Sequence, residues 1–229
     1  MLVLAIDTAL GACAAALLDT DANRLIVQET LPMARGHAEA LMPLLERLMK
    51  AGNLRFAALD RIAVTTGPGS FTGLRVGLSA ARGLALAANK PVVGVTTLSA
   101  FAAPLVSENT APPVLSAIDA RHDHVYFQMV SGSGGTLVRP RIAPIAEVLA
   151  AARFGAPRIV GNAAKILADR WPAHTPPVEI LQQSAPDIAW VAWLGAAVSP
   201  NTAPARPYYL RAPDAKPQAG AIHSAAASS

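Results

Sequence analysis

The residues best suited to chemistry lie in Gly67-Pro-Gly-Ser-Phe-Thr-Gly73, between an apolar strand pattern and a helical one. A Gly-rich strand-to-helix turn exposes backbone N–H groups at the positive end of the helix, which suits phosphate. Gly67, Gly69 and Ser70 are the candidate contacts. No Lys follows, so the loop is not a Walker A loop. The same residues also make a tight turn, in which Gly67 and Gly69 take unusual dihedrals and Ser70 or Thr72 caps the helix. A second candidate is His122-Asp-His124. On a strand, alternation would put both imidazoles on one face. An isolated His-x-His is a common accident, however, and no metal site is expected. The single cysteine, Cys13, excludes an internal disulfide and the usual multi-Cys zinc sites.

Composition bounds the rest. The chain has 229 residues, enough for one large domain or two small ones. With 52% hydrophobic and 15% charged residues it can bury a core, which argues against wholesale disorder. The N-terminal apolar run has no basic leader and is interrupted by Asp7, so we expect no targeting peptide. No stretch free of Pro, Gly and charge reaches membrane-spanning length, and the expected location is the cytoplasm. The net charge of +4 mildly favours an acidic partner such as RNA, though the basic residues are scattered.

The elements that would position these residues recur in two halves. Strand patterns at 2–7, 13–19 and 24–31 form a meander. A helix is expected over 36–51, with Leu41, Leu44, Leu45, Leu48 and Met49 at helical spacing. A strand at 60–66, a helix at 72–88, a strand at 91–95 and a helix from Thr96 complete the first half. A polar, Pro-rich stretch at 104–113 reads as a linker. Strands at 114–119, 123–130 and 135–139, a helix at 144–152, a strand at 158–160, a helix at 163–170, a strand at 178–181 and a helix at 187–198 follow. Both halves read βββαβαβα, and both open on a strand ending in Ile-Asp. The expectation is α/β: two duplicated subdomains, 1–103 and a smaller 114–198, each a mixed sheet flanked by helices. Residues 199–229 form a Pro/Ala-rich segment whose end is expected to be mobile.

In the 72–88 helix, Gly73, Gly77 and Ala81 recur every four residues as a smooth stripe. Interior helical Gly costs about 1 kcal/mol relative to Ala, so close packing should offset it, against the domain's own sheet or against a partner helix.

Two such halves resemble the actin, sugar-kinase and Hsp70 superfamily, with its ribonuclease H-like subdomains. Gly67-Pro-Gly-Ser-Phe-Thr-Gly-Leu-Arg-Val-Gly77 is similar to the matching block of TsaB (YeaZ) proteins. So are Leu4-Ala-Ile-Asp-Thr8, His37-Ala-Glu39 with Leu41 and Pro43, Gly94-Val-Thr-Thr-Leu98, Ile118-Asp-Ala-Arg121 with Val125-Tyr126, and Pro207-Tyr-Tyr-Leu-Arg211. The blocks keep the family's order along nearly the whole chain.

The resemblance implies a non-catalytic subunit. It would act with TsaD, which carries the active site, and with the ATPase TsaE. Together they transfer threonylcarbamoyl to N6 of the adenosine beside the anticodon in tRNAs reading codons that begin with A. It implies no intrinsic cofactor, with an adenine nucleotide at the TsaD interface as a candidate ligand and tRNA contacted through the complex. A homodimer is implied for the subunit alone. The association surface is expected on the two long helices, with His37, Leu41, Leu45, Leu48, Gly73, Arg75, Gly77 and Ala81. Asp7 and Asp119 fall where the superfamily places carboxylates that handle phosphate-bound metal, and Asp7 is a candidate phosphate contact. Neither is followed by the Gly and hydroxyl of a phosphate hairpin. Asp7 alternatively binds nearby backbone amides. TsaD-type relatives carry a His-x-x-x-His pair on the first helix, where i, i+4 spacing lets both ligate one metal. Here Leu41 stands four residues after His37, so the pair is broken and the older peptidase label loses its metal. The alternative is an ATPase or phosphotransferase of the actin-like superfamily.

Overall fold

The computed structural model describes residues 1–107 and 110–210. Arg211 and the 219–229 tail discussed above lie outside the described residues.

The first sheet has strand order β3-β2-β1-β4-β5, from β1 (Leu2–Asp7), β2 (Ala12–Asp19), β3 (Arg24–Pro32), β4 (Arg61–Gly67) and β5 (Val92–Thr96). The β1–β2–β3 meander is antiparallel, and β4 and β5 run parallel to β1 and to each other. The central strands are apolar at successive positions because both faces are covered. Leu4, Ile6, Cys13, Ala15, Leu17, Ile62 and Val64 meet α1 (His37–Ala51) and α2 (Phe71–Ala88) on one face. Val3, Ala5, Ala14, Ala16, Leu18 and Ala63 point to the other face, as period-2 alternation requires.

The second sheet repeats the order as β10-β9-β6-β7-β8. Its strands are β6 (Val114–Asp119), β7 (His124–Val130), β8 (Thr136–Pro144), β9 (Arg158–Gly161) and β10 (Glu179–Gln182). One face packs on α4 (Ile145–Val148) and α5 (Ala164–Ala168), around Phe127, Met129, Ile159 and Leu167. Two mixed five-stranded sheets of matching order, each flanked by helices, make the duplicated actin-like α/β fold.

Local lengths differ from expectation. β8 runs to Pro144 rather than 139, with register shifts against β7 that let the longer strand follow it. The expected 144–152 helix is one short α-turn continued by a 3₁₀ segment to Phe154.

The packing units also cross the boundary drawn along the sequence. α6 (Ile188–Ala197) comes from the second half but covers the far face of the first sheet, with Ile188, Val191 and Ala192 against Val3, Ala5, Ala14 and Ala63. α3 (Thr97–Ala102) comes from the first half, yet Leu98, Phe101 and Ala102 pack on Val114, Ile118 and Val160 of the second sheet. Sequence order cannot show this, because an all-apolar helix such as IAWVAWLGAA fits any buried face. Arg61 anchors α6 by donating from Nη1 to the carbonyls of Gly195, Ala196 and Val198 at 2.7–2.9 Å. This satisfies carbonyls at the helix C-terminus. The chain then returns along the first half: Gly94 N–H donates to Ala203 O and Tyr208 N–H to Thr66 O, both at 2.8 Å. Arg82 Nε donates to Ala205 O at 2.9 Å.

Candidate functional site

The two sheets leave a cleft of about 510 Å³ between the ends of β1 and β6. Gly69 and Ser70 form part of one wall, with Asp119, Arg121, Tyr126 and Asn162 on the other side.

The wall around Ser70 is built from the turn. Ser70 caps α2 by accepting from Gly73 N–H at 3.3 Å. Its own N–H donates to Ala9 O at 2.7 Å. A Cβ on Gly69 would lie 2.4 Å from that same carbonyl oxygen, so only glycine fits the approach. Gly67, at φ 106, requires glycine for its dihedral. It is buried beneath the Tyr208 backbone and does not line the cleft.

Asp7 is not a cleft residue either. It is fully buried, and its Oδ1 accepts from Thr65 Oγ1 at 2.6 Å and from Ala9 N–H at 2.9 Å. Its Oδ2 has no hydrogen-bond partner among the described residues. Burial raises its pKa above the ordinary carboxylate value, against the opposing pull of Thr65, Ala9 and His37. The expectation that Asp7 contacts phosphate is thereby corrected: the Asp7–Ala9 turn closes over the carboxylate. Asp119, its counterpart, is exposed in the cleft. Asp119 Oδ1 accepts from Arg121 N–H and Asp119 N–H donates to Asn162 Oδ1, both at 2.8 Å.

Arg121, His122 and Asp123 all have left-handed φ angles of 50–63°. β7 starts only at His124, so strand alternation does not relate the two histidines. His124 Nδ1 lies 2.7 Å from His122 O. Among the described residues no group of three His, Cys, Asp or Glu side chains is placed to hold a metal.

The long helices correct the expected association residues most clearly. Leu41, Leu45, Leu48 and Ala81 are at most 1% exposed, and Gly73 and Gly77 are buried. A Cβ on Gly73 would sit 2.1 Å from Thr8 O, and one on Gly77 would sit 2.5 Å from Thr8 Oγ1. The stripe packs against the chain's own β1 turn. His37 is also buried and donates from Nε2 to Leu10 O at 3.0 Å. The N-cap of α1 is Gly36. Of the expected residues on these helices, Arg75 alone is exposed. Its guanidinium lies 3.7 Å from the Phe71 ring centroid, and that ring lies 6.0 Å from Tyr209. Exposed apolar side chains on these helices are instead Met42 of α1, at 50% exposure, and Leu86 of α2, at 85%. Gly83 lies near Leu86, and nothing comes within 4 Å of a Cβ built on it. Sequence reasoning missed Asn162, Met42, Gly83 and Leu86. Exposed apolar residues on an amphipathic helix were the available signal for the last three.

Residues 31–188 match the family described as TsaD: tRNA N6-adenosine threonylcarbamoyltransferase. The chain is 39% identical over 127 residues to the tRNA threonylcarbamoyladenosine biosynthesis protein TsaB of Escherichia coli, covering 56% of this chain and 54% of that one. The chain belongs to this family, and its similar relatives include proteins named TsaB and YeaZ. YeaZ from Pseudomonas aeruginosa superposes with a TM-score of 0.73 at 28% identity, over 91% of this chain and 99% of that one. An uncharacterised protein of Mycobacterium bovis is 33% identical over 220 residues, 95% of either chain. The chain spans about half the length of the curated TsaB relatives from Escherichia coli and Haemophilus influenzae that it matches. No helix among the described residues is long and apolar enough to cross a membrane.

Proposed function

We propose that this chain is a non-catalytic partner subunit in tRNA threonylcarbamoyladenosine biosynthesis, acting in the cytoplasm with a TsaD-type catalytic subunit and a TsaE-type ATPase. The observation that carries the reading is on α1. His37 is bound to Leu10 O, and Leu41 fills the core at the position where a second histidine would be needed. This helix face therefore has no pair of imidazoles to offer a metal. The sealed Asp7 supports the same reading, because a buried carboxylate cannot reach a phosphate-bound cation in the cleft.

Pairing would use the exposed faces of α1 and α2 rather than the buried stripe. Met42 and Leu86 offer apolar area there, Gly83 leaves room beside Leu86 for a partner helix, and Arg75 is exposed on α2. The subunit alone would homodimerise through the same faces. An adenine nucleotide would be held where the Gly69–Ser70 wall meets the catalytic subunit, and tRNA would be engaged by the complex.

Reconstitution tests the proposal. TsaC-, TsaD- and TsaE-type proteins, tRNA and substrates are combined with and without this chain, and modified adenosine is measured. Modification is expected only with the chain present; undiminished modification without it refutes the assignment. The alternative, an actin-like ATPase or phosphotransferase, would need Mg-ATP turnover by the purified chain that depends on a cleft residue such as Asp119.

A further inference from the structure

Further along the same face of β7 from Tyr126, a second cavity of about 460 Å³ opens between α3, α6 and the second sheet. Ser99 and Ala102 of α3, Trp190 and Leu194 of α6, and Gln128 and Val130 of β7 are among its walls. Gln128 is 5% exposed, and its carboxamide makes no hydrogen bond to a described residue. Its cross-strand neighbour Ser116 does not satisfy it, since the Ser116 hydroxyl is itself buried without a partner. The carboxamide is open to the cavity, so a bound molecule that pairs with it takes the place of water there.

We infer that this cavity is a binding site for a small neutral molecule with a flat apolar body and a lactam-like edge that pairs with Gln128. The carboxamide presents an acceptor oxygen beside donor N–H groups. It therefore matches an edge with one donor beside one acceptor. Trp190 and Leu194, one helical turn apart on α6, supply an apolar wall for the body of the ligand. No Asp, Glu, Lys, Arg or His lines the cavity among the described residues. A charged ligand would find no counter-charge among the described walls, so a neutral ligand fits them better than a phosphate or nucleotide. The volume suits a molecule of a few fused rings. Because α6 covers the first sheet and α3 the second, an occupant touches both halves of the chain. Binding would hold them in one arrangement.

The test uses the full chain and 2-quinolinone as probe, followed by ¹H–¹⁵N NMR at the Gln128 side-chain amide and the Trp190 indole. Saturable shifts at both groups are expected. N-methyl-2-quinolinone, which lacks the donor, should bind about tenfold more weakly, the loss of roughly one hydrogen bond. Gln128→Leu should erase that preference, and Gln128→Glu serves as the isosteric second variant should the first fail to fold. Leu194→Trp should fill the cavity and abolish binding. Absence of saturable shifts, shifts elsewhere in the chain, or equal affinity for the methylated probe would each overturn the inference.

Discussion

Thr8 Oγ1 donates a hydrogen bond to the carbonyl of Gly73 at 2.7 Å, across a helix-to-strand contact that has no room for a side chain. This pair explains why α2 carries small residues every four positions. Gly73 and Gly77 let the helix ride on the turn after β1, and the backbone contact offsets their helical cost. Gly77→Ala is expected to destabilise the monomer by about 1–3 kcal/mol through overpacking, seen as a lower denaturant midpoint. Thr8→Ala should cost less in that background than in wild type, because it removes the clashing oxygen. A fully stable Gly77→Ala monomer with lost association would restore the stripe as an interface.

Association should instead respond to the exposed apolar residues of α1 and α2. Met42→Glu with Leu86→Glu places charge on residues already half or more in water. The monomer should keep its stability within about 0.5 kcal/mol, while pairing with the TsaD-type subunit weakens in size-exclusion chromatography. Undisturbed pairing would move the interface elsewhere.

The buried Asp7 has a pH signature. Its folded pKa is raised by burial, so the folded state holds the proton more tightly than the unfolded chain. Stability therefore falls as pH rises from the ordinary carboxylate value through the folded pKa, then stays low above it. Asp7→Asn keeps an acceptor for Thr65 and Ala9 and removes this slope. Denaturation midpoints across acid and neutral pH should diverge, the variant gaining on wild type with rising pH. Parallel curves would show that Asp7 titrates normally.

Cys13 faces the first core, and burial raises its thiol pKa to about 11. At pH 8 the thiolate fraction is then about one in a thousand, and alkylation requires that anion. Native protein should resist iodoacetamide at pH 8 and react rapidly once unfolded, as followed by mass spectrometry. Fast native labelling would mean that the β2 region opens readily.

Much of the fold is local, and for that reason legible in the residues. The short apolar runs LVLAID and VLSAID, the helical spacing of Leu41, Leu45 and Leu48, and the Ser70 cap are set by neighbours within a few positions. The GPGSFTGLR block was legible as a motif: its glycines answer to one turn, at Gly67, and two close approaches, at Gly69 and Gly73. The sequence by itself thus determined the element types, the duplication and the family resemblance.

What lies against what was decided by the tertiary structure. A period-four stripe of small residues announces a close approach but carries no address, and here the address is Thr8. A wholly apolar α6 can cover either sheet, and Arg61 ties it to the first. A strand-end aspartate can face solvent or be sealed, and the turn to Ala9 seals Asp7 while Asp119 stays open. Thr8 with Gly73, Arg61 with α6, and Thr65 over Asp7 are contacts between residues distant in the chain, fixed only when the elements pack together.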